Sequence, residues 1–315
     1  MKLGKRVVSL LLALALMVTL VVVPSFESKA YTEYPKNLVQ TSASGNNVSF
    51  KWDAVAGATS YSITITIGTT SGQIVKTDST TATSYTFAAP YRGFRYYALV
   101  TAVGADGTTS ATAYLSIYSA PMTPGNIFVY SWKPKTNKPY IEWASYSSDT
   151  YSYVPSGYEV KVTTLAGKKI KTYKTTSRYL NKAISKIKNA GFKVQIRSYA
   201  NVTNSAGNIT IWSDWSKAKA FVPQPQPKSR HYIGSSTSTV TWNKIKNAKS
   251  YTIYKVTGSY GNYKFKKYKK VGAGTTSITV PRSLGSVTIV PEVKVKGKKY
   301  KWNKKDFGYF YGVSV

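Results

Sequence analysis

Three times in this chain an alternating apolar run closes on a tryptophan and a tyrosine then opens the next run: Trp52 with Tyr61, Trp143 with Tyr158, and Trp242 with Tyr251. Two of the intervals nearly superimpose, Trp52-x-x-Val55-x-x-Ala58-x-Ser60-Tyr61 on Trp242-x-x-Ile245-x-x-Ala248-x-Ser250-Tyr251. The tryptophans stand 91 and 99 residues apart, and self-similarity at a near-constant period marks an array of like modules. A unit of that length buries one core and little beyond it. The 315 residues accordingly read as a leader at 1–30 followed by three units, 31–119, 120–222 and 223–315.

Period-two alternation, with one face buried, marks the strands: Val48-x-Phe50-x-Trp52, Tyr61-x-Ile63-x-Ile65-x-Ile67, Tyr158-x-Val160-x-Val162 and Val194-x-Ile196. Helical spacing is nearly absent, and Leu180 to Lys188 reads as an irregular strand connection. Turn residues recur at short intervals, among them Gly68, Asp106-Gly107, Gly167, Gly207, Gly258 and Gly297. Many short strands with regular turns predict an all-β chain of sandwiches. Proline clusters at Pro121 to Pro124 and at Pro223, Pro225 and Pro227 mark the linkers. Alternating prolines favour extended backbone, so the second linker is expected to be a semi-rigid spacer and the array elongated.

Lys2, Lys5 and Arg6 precede an apolar run from Val7 to Val23, and Ser28-Lys29-Ala30 comes after it. That order reads as a secretory signal cleaved after Ala30; an uncleaved anchor is the rival reading. The sequence contains no cysteine, so each extracytoplasmic module must be held by core burial without disulfides. The whole chain carries +33, and without residues 1–30 about +30 remains. The charge rises along the array: five basic against four acidic side chains in 31–119, 16 against four in 120–222, and 19 against two in 223–315.

The Trp-to-Tyr pattern, the paired strands and the unit length resemble the fibronectin type III domain of secreted bacterial proteins. The resemblance implies three tandem immunoglobulin-like sandwiches, with Trp52, Trp143 and Trp242 packed in the cores and Tyr61, Tyr158 and Tyr251 opening the third strands. It implies a later strand opened by an aromatic, which Tyr96-x-Ala98-x-Val100-x-Ala102 matches. The second unit has Phe192 there, without a hydroxyl, and the third has only Val287-x-Ile289-x-Pro291. Trp212-Ser213-Asp214-Trp215-Ser216 is similar to the Trp-Ser-x-Trp-Ser signature of cytokine-receptor domains of this family, whose indoles stack on cations that Arg197 and Lys193 could supply. The plainer reading is two aromatics covering a strand edge. The Gly207 to Trp212 spacing recurs from Gly297 to Trp302.

Catalysis needs groups this chain barely holds. Without the leader it has ten carboxylates, one histidine, His231, and no cysteine, which excludes thiol nucleophiles, thiolate metal sites and most imidazole acid–base chemistry. His231 has no second metal ligand nearby in sequence. Glu142 and Glu159 are expected to point outward from opposite sheets as solvated charges, too far apart for a glycosidase pair. No catalytic residue, metal or cofactor is assigned, and an enzyme is the most distant reading.

Two lysine-rich segments remain. One carries Lys264, Lys266, Lys267, Lys269 and Lys270; the other carries Lys294, Lys296, Lys298, Lys299, Lys301, Lys304 and Lys305. On strands, lysines alternating with apolar residues are expected to place ammonium groups outward and most aromatics underneath. That disfavours nucleic acid, which needs rings exposed beside the charges. The expected partner is an anionic cell-wall or extracellular polysaccharide, with an anionic membrane surface as a further candidate and a protein partner at the near-neutral first unit. The expected function is a non-catalytic, secreted or surface-associated adhesion array. The alternative is an accessory or spacer protein of extracellular polysaccharide-degrading systems.

Overall fold

The computed structural model describes residues 33–133, 135–144, 149–259, 262–303 and 310–315. The leader expected at 1–30, together with Lys304 and Lys305, lies outside them. In the first module, strands β1 (Val39–Ser44), β2 (Asn47–Lys51), β3 (Ala58–Ile67), β4 (Ile74–Thr80), β5 (Ser84–Ala88), β6 (Arg95–Gly104) and β7 (Ala113–Tyr118) form two antiparallel sheets, β1-β2-β5 and β4-β3-β6-β7. The second contains β8 (Gly125–Ser131), β9 (Tyr140–Ala144), β10 (Gly157–Thr164), β11 (Lys169–Thr175), β12 (Tyr179–Leu180), β13 (Phe192–Asn204), β14 (Gly207–Trp212) and β15 (Lys219–Phe221). Its sheets are β8-β9-β12 and β11-β10-β13-β14, with β15 also on β13. The third contains β16 (Lys228–Arg230), β17 (Thr237–Thr241), β18 (Ala248–Thr257), β19 (Lys264–Gly272), β20 (Ser277–Pro281), β21 (Ser286–Val295), β22 (Lys298–Lys301) and β23 (Gly312–Ser314). Its sheets are β16-β17-β20 and β19-β18-β21-β22, with β23 on β21. The same connectivity recurs three times, and it is that of the fibronectin type III sandwich. Leu180 to Lys188 leaves β12 through irregular turns, as its sequence suggests.

The repeat that announces the modules is a packing unit. Trp52 meets Tyr61 edge-on at 5.2 Å between ring centroids, Trp143 meets Tyr158 at 5.4 Å, and Trp242 meets Tyr251 at 5.6 Å. All six rings are buried, and T-shaped pairs contribute about 0.5–1.5 kcal/mol beyond the area they bury. The near-identical spacing in modules one and three has its own cause. The Tyr61 hydroxyl accepts the Val55 N–H at 3.0 Å and the Tyr251 hydroxyl accepts the Ile245 N–H at 2.9 Å, so each tyrosine satisfies a buried donor of the loop just before it. Tyr251→Phe is expected to cost about 1.5 kcal/mol in urea denaturation, the desolvation cost of a stranded amide. Tyr96 makes the corner contacts, donating to Tyr91 O at 3.0 Å and accepting the Tyr91 N–H at 3.1 Å.

The modules are not strung on free spacers. Strand β13 runs 13 residues, and its far half with β14 carries Ala200, Val202 and Ile211 into the core cluster of the first module. Arg92 Nη1 pairs with Asp214 Oδ2 at 2.6 Å and Asn204 Nδ2 donates to Gln40 O at 2.9 Å across the same junction. Gly68, at φ 84°, leaves room for Tyr151 of the second module; a Cβ there would lie 2.2 Å from the Tyr151 ring.

The second linker corrects the expectation of a spacer. Pro223, Gln224 and Pro225 are buried, because the Gln224 amide does the work of a strand residue: its Nε2 donates to Thr288 Oγ1 and to Tyr311 O, and its Oε1 accepts the Tyr311 N–H at 2.7 Å. The Tyr311 hydroxyl then reaches Trp132 O of the second module at 3.1 Å. Gln40 clasps Tyr118 in the first module by the same two bonds, at 2.8 and 2.9 Å. Leu165 enters the core of the third module and Trp302 that of the second.

Burial of phenols at the first junction and in the core of the first module makes the chain sensitive to alkali. The Tyr153 hydroxyl donates to Ser119 O at 2.6 Å, and burial pushes its ionisation well above the ordinary tyrosine value; burial pushes Tyr96 up to about 12. An unfolded phenol ionises near ~10, so the stability tied to each neutral phenol is whole below that pH and is lost as pH rises beyond it. Tyr153→Phe is expected to be less stable than the parent at pH 8. Its deficit should shrink by up to about 1.4 kcal/mol per pH unit above ~10. A deficit constant to pH 11.5 in paired urea melts would contradict this.

Candidate polyanion-binding face

The sheet order places the two lysine-rich strands of module three on opposite edges, β19 on one side and β22 on the other, with β18 and β21 between them. Three strand spacings set the edges about 14 Å apart. Register then decides which lysines share a face. Lys270 pairs with Thr252 and Lys267 with Tyr254 on β18, while Glu292 pairs with Ser250 on one side and Lys301 on the other, and Lys294 with Lys299. Lys267, Lys270, Lys294, Lys299 and Lys301 therefore share the outer face with Glu292.

Lys266 pairs with Lys255 and Lys269 with the buried Ile253, which puts them and Lys264 on the other face; Lys298 pairs with Val295 there too. Lys296 sits in the two-residue turn with Gly297, at φ 47° and 77°, the backbone of a type I′ hairpin turn.

Expected and observed differ in one respect. β19 does not put all its ammonium groups on one side with the aromatics beneath, because the run Lys266-Lys267 breaks the alternation and a bulge falls at Tyr268, which is itself exposed. Phe265 shares the outer face with Lys267 and Lys270, and is covered by Trp302 and Phe310 at 6.4 and 5.4 Å.

Glu292 is the only carboxylate side chain among the described residues of the third module. Lys301 Nζ lies 3.1 Å from its Oε2. The bond from Lys301, aided by the charges of Lys301, Lys270 and Lys299, holds Glu292 below the usual carboxylate range. One carboxylate is thus ringed by three ammonium groups, and among the described residues the other lysines of the face have no counter-charge. Lysines on a free edge also block strand addition. That need alone is met sparingly in module one, where the equivalent edge β4 has only Lys76, paired with Asp78 at 3.0 Å. β11 carries Lys169, Lys171 and Lys174, and β19 carries five. The excess is what edge protection does not explain.

A second cationic face lies on module two. Arg197 stacks 4.0 Å from the Trp212 ring and 4.6 Å from Trp215; Lys174 extends the row beyond Trp212 at 5.8 Å and Lys161 beyond Trp215 at 4.4 Å. The serines set the spacing. Ser213 and Ser216 each give an N–H to β13, at Ser198 O and Ile196 O, and take one back on Oγ, from Ser198 N and Ile196 N, all at 2.8–2.9 Å. The segment is more than two aromatics covering an edge. Of the two cations expected from sequence, Arg197 is in the row and Lys193 is not: Lys193 lies 5.7 Å over Tyr300 of the third module. Glu159 is no solvated charge; it accepts Arg197 Nε at 2.8 Å and Nη2 at 2.6 Å and is largely buried. Lys161 and Lys174 were legible only as outward strand positions, and the two clasping glutamines gave no signal at all.

Fold and surface together define a tandem array of fibronectin type III-like sandwiches with cationic faces on its second and third members. No family model matches the chain, and no curated protein matches it. Among solved structures it is similar to the three-domain fibronectin segment of chicken CNTN1, at 14% identity and a TM-score of 0.30, covering 84% of this chain and 94% of that one. It is similar to a two-domain fibronectin type III segment of chicken tenascin, at 15% identity and a TM-score of 0.31, covering 61% and 100%. A third is the central fibronectin III array of RIM-binding protein, at 14% and 0.24, covering 87% and 98%. The class rests on the strand order found in all three modules.

Proposed function

We propose that this chain is a non-catalytic, extracellular binding array that holds to anionic cell-wall or extracellular polysaccharide through its third module. The observation that carries this is the outer face of β19 and β22, where Lys270, Lys299 and Lys301 surround a single carboxylate, Glu292, and Lys267 extends the same face. Each lysine engaged at an anionic surface contributes about 1 kcal/mol, and a repeating polymer engages many at once. The first module, near-neutral, is left to face a protein or glycan partner.

The alternative, an accessory of polysaccharide-degrading systems, draws on Tyr130, Tyr140 and Tyr179 on the outer face of β8-β9-β12. Tyr140 and Tyr179 stack on each other at 5.0 Å and 14° between planes, which takes one flat face of each ring away from a sugar, whereas the lysines of the β19 and β22 face are exposed. The charge reading is therefore preferred. In pull-downs with the chain from residue 31, it expects binding to insoluble anionic wall material and release by about 0.5 M salt, where screening reaches ~4 Å. Retention on cellulose that resists the same salt would favour the alternative.

A further inference from the structure

Tyr232 and Ile233, at 86% and 105% relative exposure, are the most exposed large apolar residues among those described. They form the turn between β16 and β17, and the turn is built. Ser235 N–H donates to Tyr232 O at 3.0 Å, Ser235 Oγ donates to Thr237 O at 3.0 Å, and Arg282 N–H donates to Ser236 O at 3.0 Å. Arg282 Nη1 also reaches Ser235 O at 3.4 Å. Gly234, at φ 82°, takes the left-handed position that reverses the chain.

Two large apolar side chains are thus held in water by a braced turn, where a core or a polar tip would have been the default. Arg230 and His231 precede them, and Arg282 braces the turn from behind. Glu292 is far off, at the Ser250 end of β18. The strand directions put this turn at the same end of the sandwich as the Arg282–Leu284 turn. Module two meets the opposite end, where Asn189 O accepts the Lys246 N–H and Asn247 O accepts the Lys294 N–H within the third module. Among the described residues, nothing of the second module covers the tip.

We infer that this tip enters the interface of an anionic lipid bilayer, Ile233 at the acyl boundary and Tyr232 among the headgroups, with Arg230 and Arg282 on lipid phosphates. Aromatic rings favour the headgroup level, and neither a small apolar insertion nor a few charges alone gives stable attachment, whereas the two together do. A hydrated polysaccharide offers no apolar bed for Ile233, whereas an anionic bilayer offers one directly beneath phosphates for Arg230 and Arg282. The surface is distinct from the β19 and β22 face, and its fate is independent of that reading.

The test uses the chain from residue 31, since the apolar run at 7–23 would itself partition into lipid. Sedimentation with vesicles of equal phosphatidylcholine and phosphatidylglycerol should show about tenfold weaker partitioning for the Tyr232→Ser, Ile233→Ser double variant. Binding of that variant to a soluble polyanion, dextran sulfate, should be unchanged. In a Tyr232→Trp variant, lipids brominated on the acyl chains should quench the added indole. Equal partitioning of parent and double variant, or no added quenching, would overturn the inference and leave lysine attraction alone; loss of dextran sulfate binding by the double variant would overturn it too, by showing the tip to be part of a polyanion site.

Discussion

Glutamine at Lys267, Lys270, Lys299 and Lys301, made together with Glu292→Gln, is expected to weaken binding of a soluble polyanion by about a hundredfold at low salt. Lys301 is held by Glu292, so the five changes remove three uncompensated charges at about 1 kcal/mol each, ~3 kcal/mol in all, and 1.4 kcal/mol is a decade. The Glu292 change accompanies them because that carboxylate is mostly covered and would lose the Lys301 bond. The single Glu292→Gln has the opposite sign: it frees Lys301 and should tighten binding about fivefold. A control with the same four charges removed from exposed positions of module two, Lys133, Lys138, Lys182 and Lys217, should lose less than about tenfold, because screening limits distant charges. Equal losses in the module-three variant and the module-two control would show that the lysines act only as a diffuse coat. Titration at several ionic strengths separates the cases, since the log–log salt slope should fall by about 3 for the module-three variant alone.

The modules were legible because a core face writes itself into sequence at period two. The Trp and Tyr positions, the β13 residues Phe192, Val194 and Ile196, and the Lys296-Gly297 turn all derive from that period or from backbone preference. The docking of one module on the next left no such mark. Ala200 and Val202 continue the β13 alternation without a break, so the pattern says that the face is buried and does not say that a neighbouring module covers it. The prolines at 223 and 225 gave a true local signal and a false global one: they extend the chain, but the glutamine between them pairs in place of a strand residue. On the cationic side, sequence identified the lysines and not their sharing of a face, since Lys266 and Lys267 are neighbours in the chain and lie on opposite sides of β19. Only cross-strand register sorts them, and register is a long-range property.

The largest loss of stability from a single surface change should come from Arg197. Its guanidinium lies between Trp212 and Trp215 and forks onto Glu159, whose side chain is 13% exposed against 28% for the arginine. Arg197→Met keeps the length of the stem, removes two cation–π contacts of about 0.5–1 kcal/mol each, and strands a mostly covered carboxylate. The sum is about 3 kcal/mol in urea denaturation of the chain from residue 31, at the low end for a broken buried pair because the arginine is partly wet. Adding Glu159→Gln to Arg197→Met should restore about 1 kcal/mol, because the neutral amide no longer has to be buried as a charge. The outer rungs are more exposed to screening, so Lys161→Met or Lys174→Met should cost under about 1 kcal/mol. If Arg197→Met instead costs no more than the outer rungs and Glu159→Gln rescues nothing, the row of rings and cations is a surface covering, and the stability of module two rests on its Trp143–Tyr158 core alone.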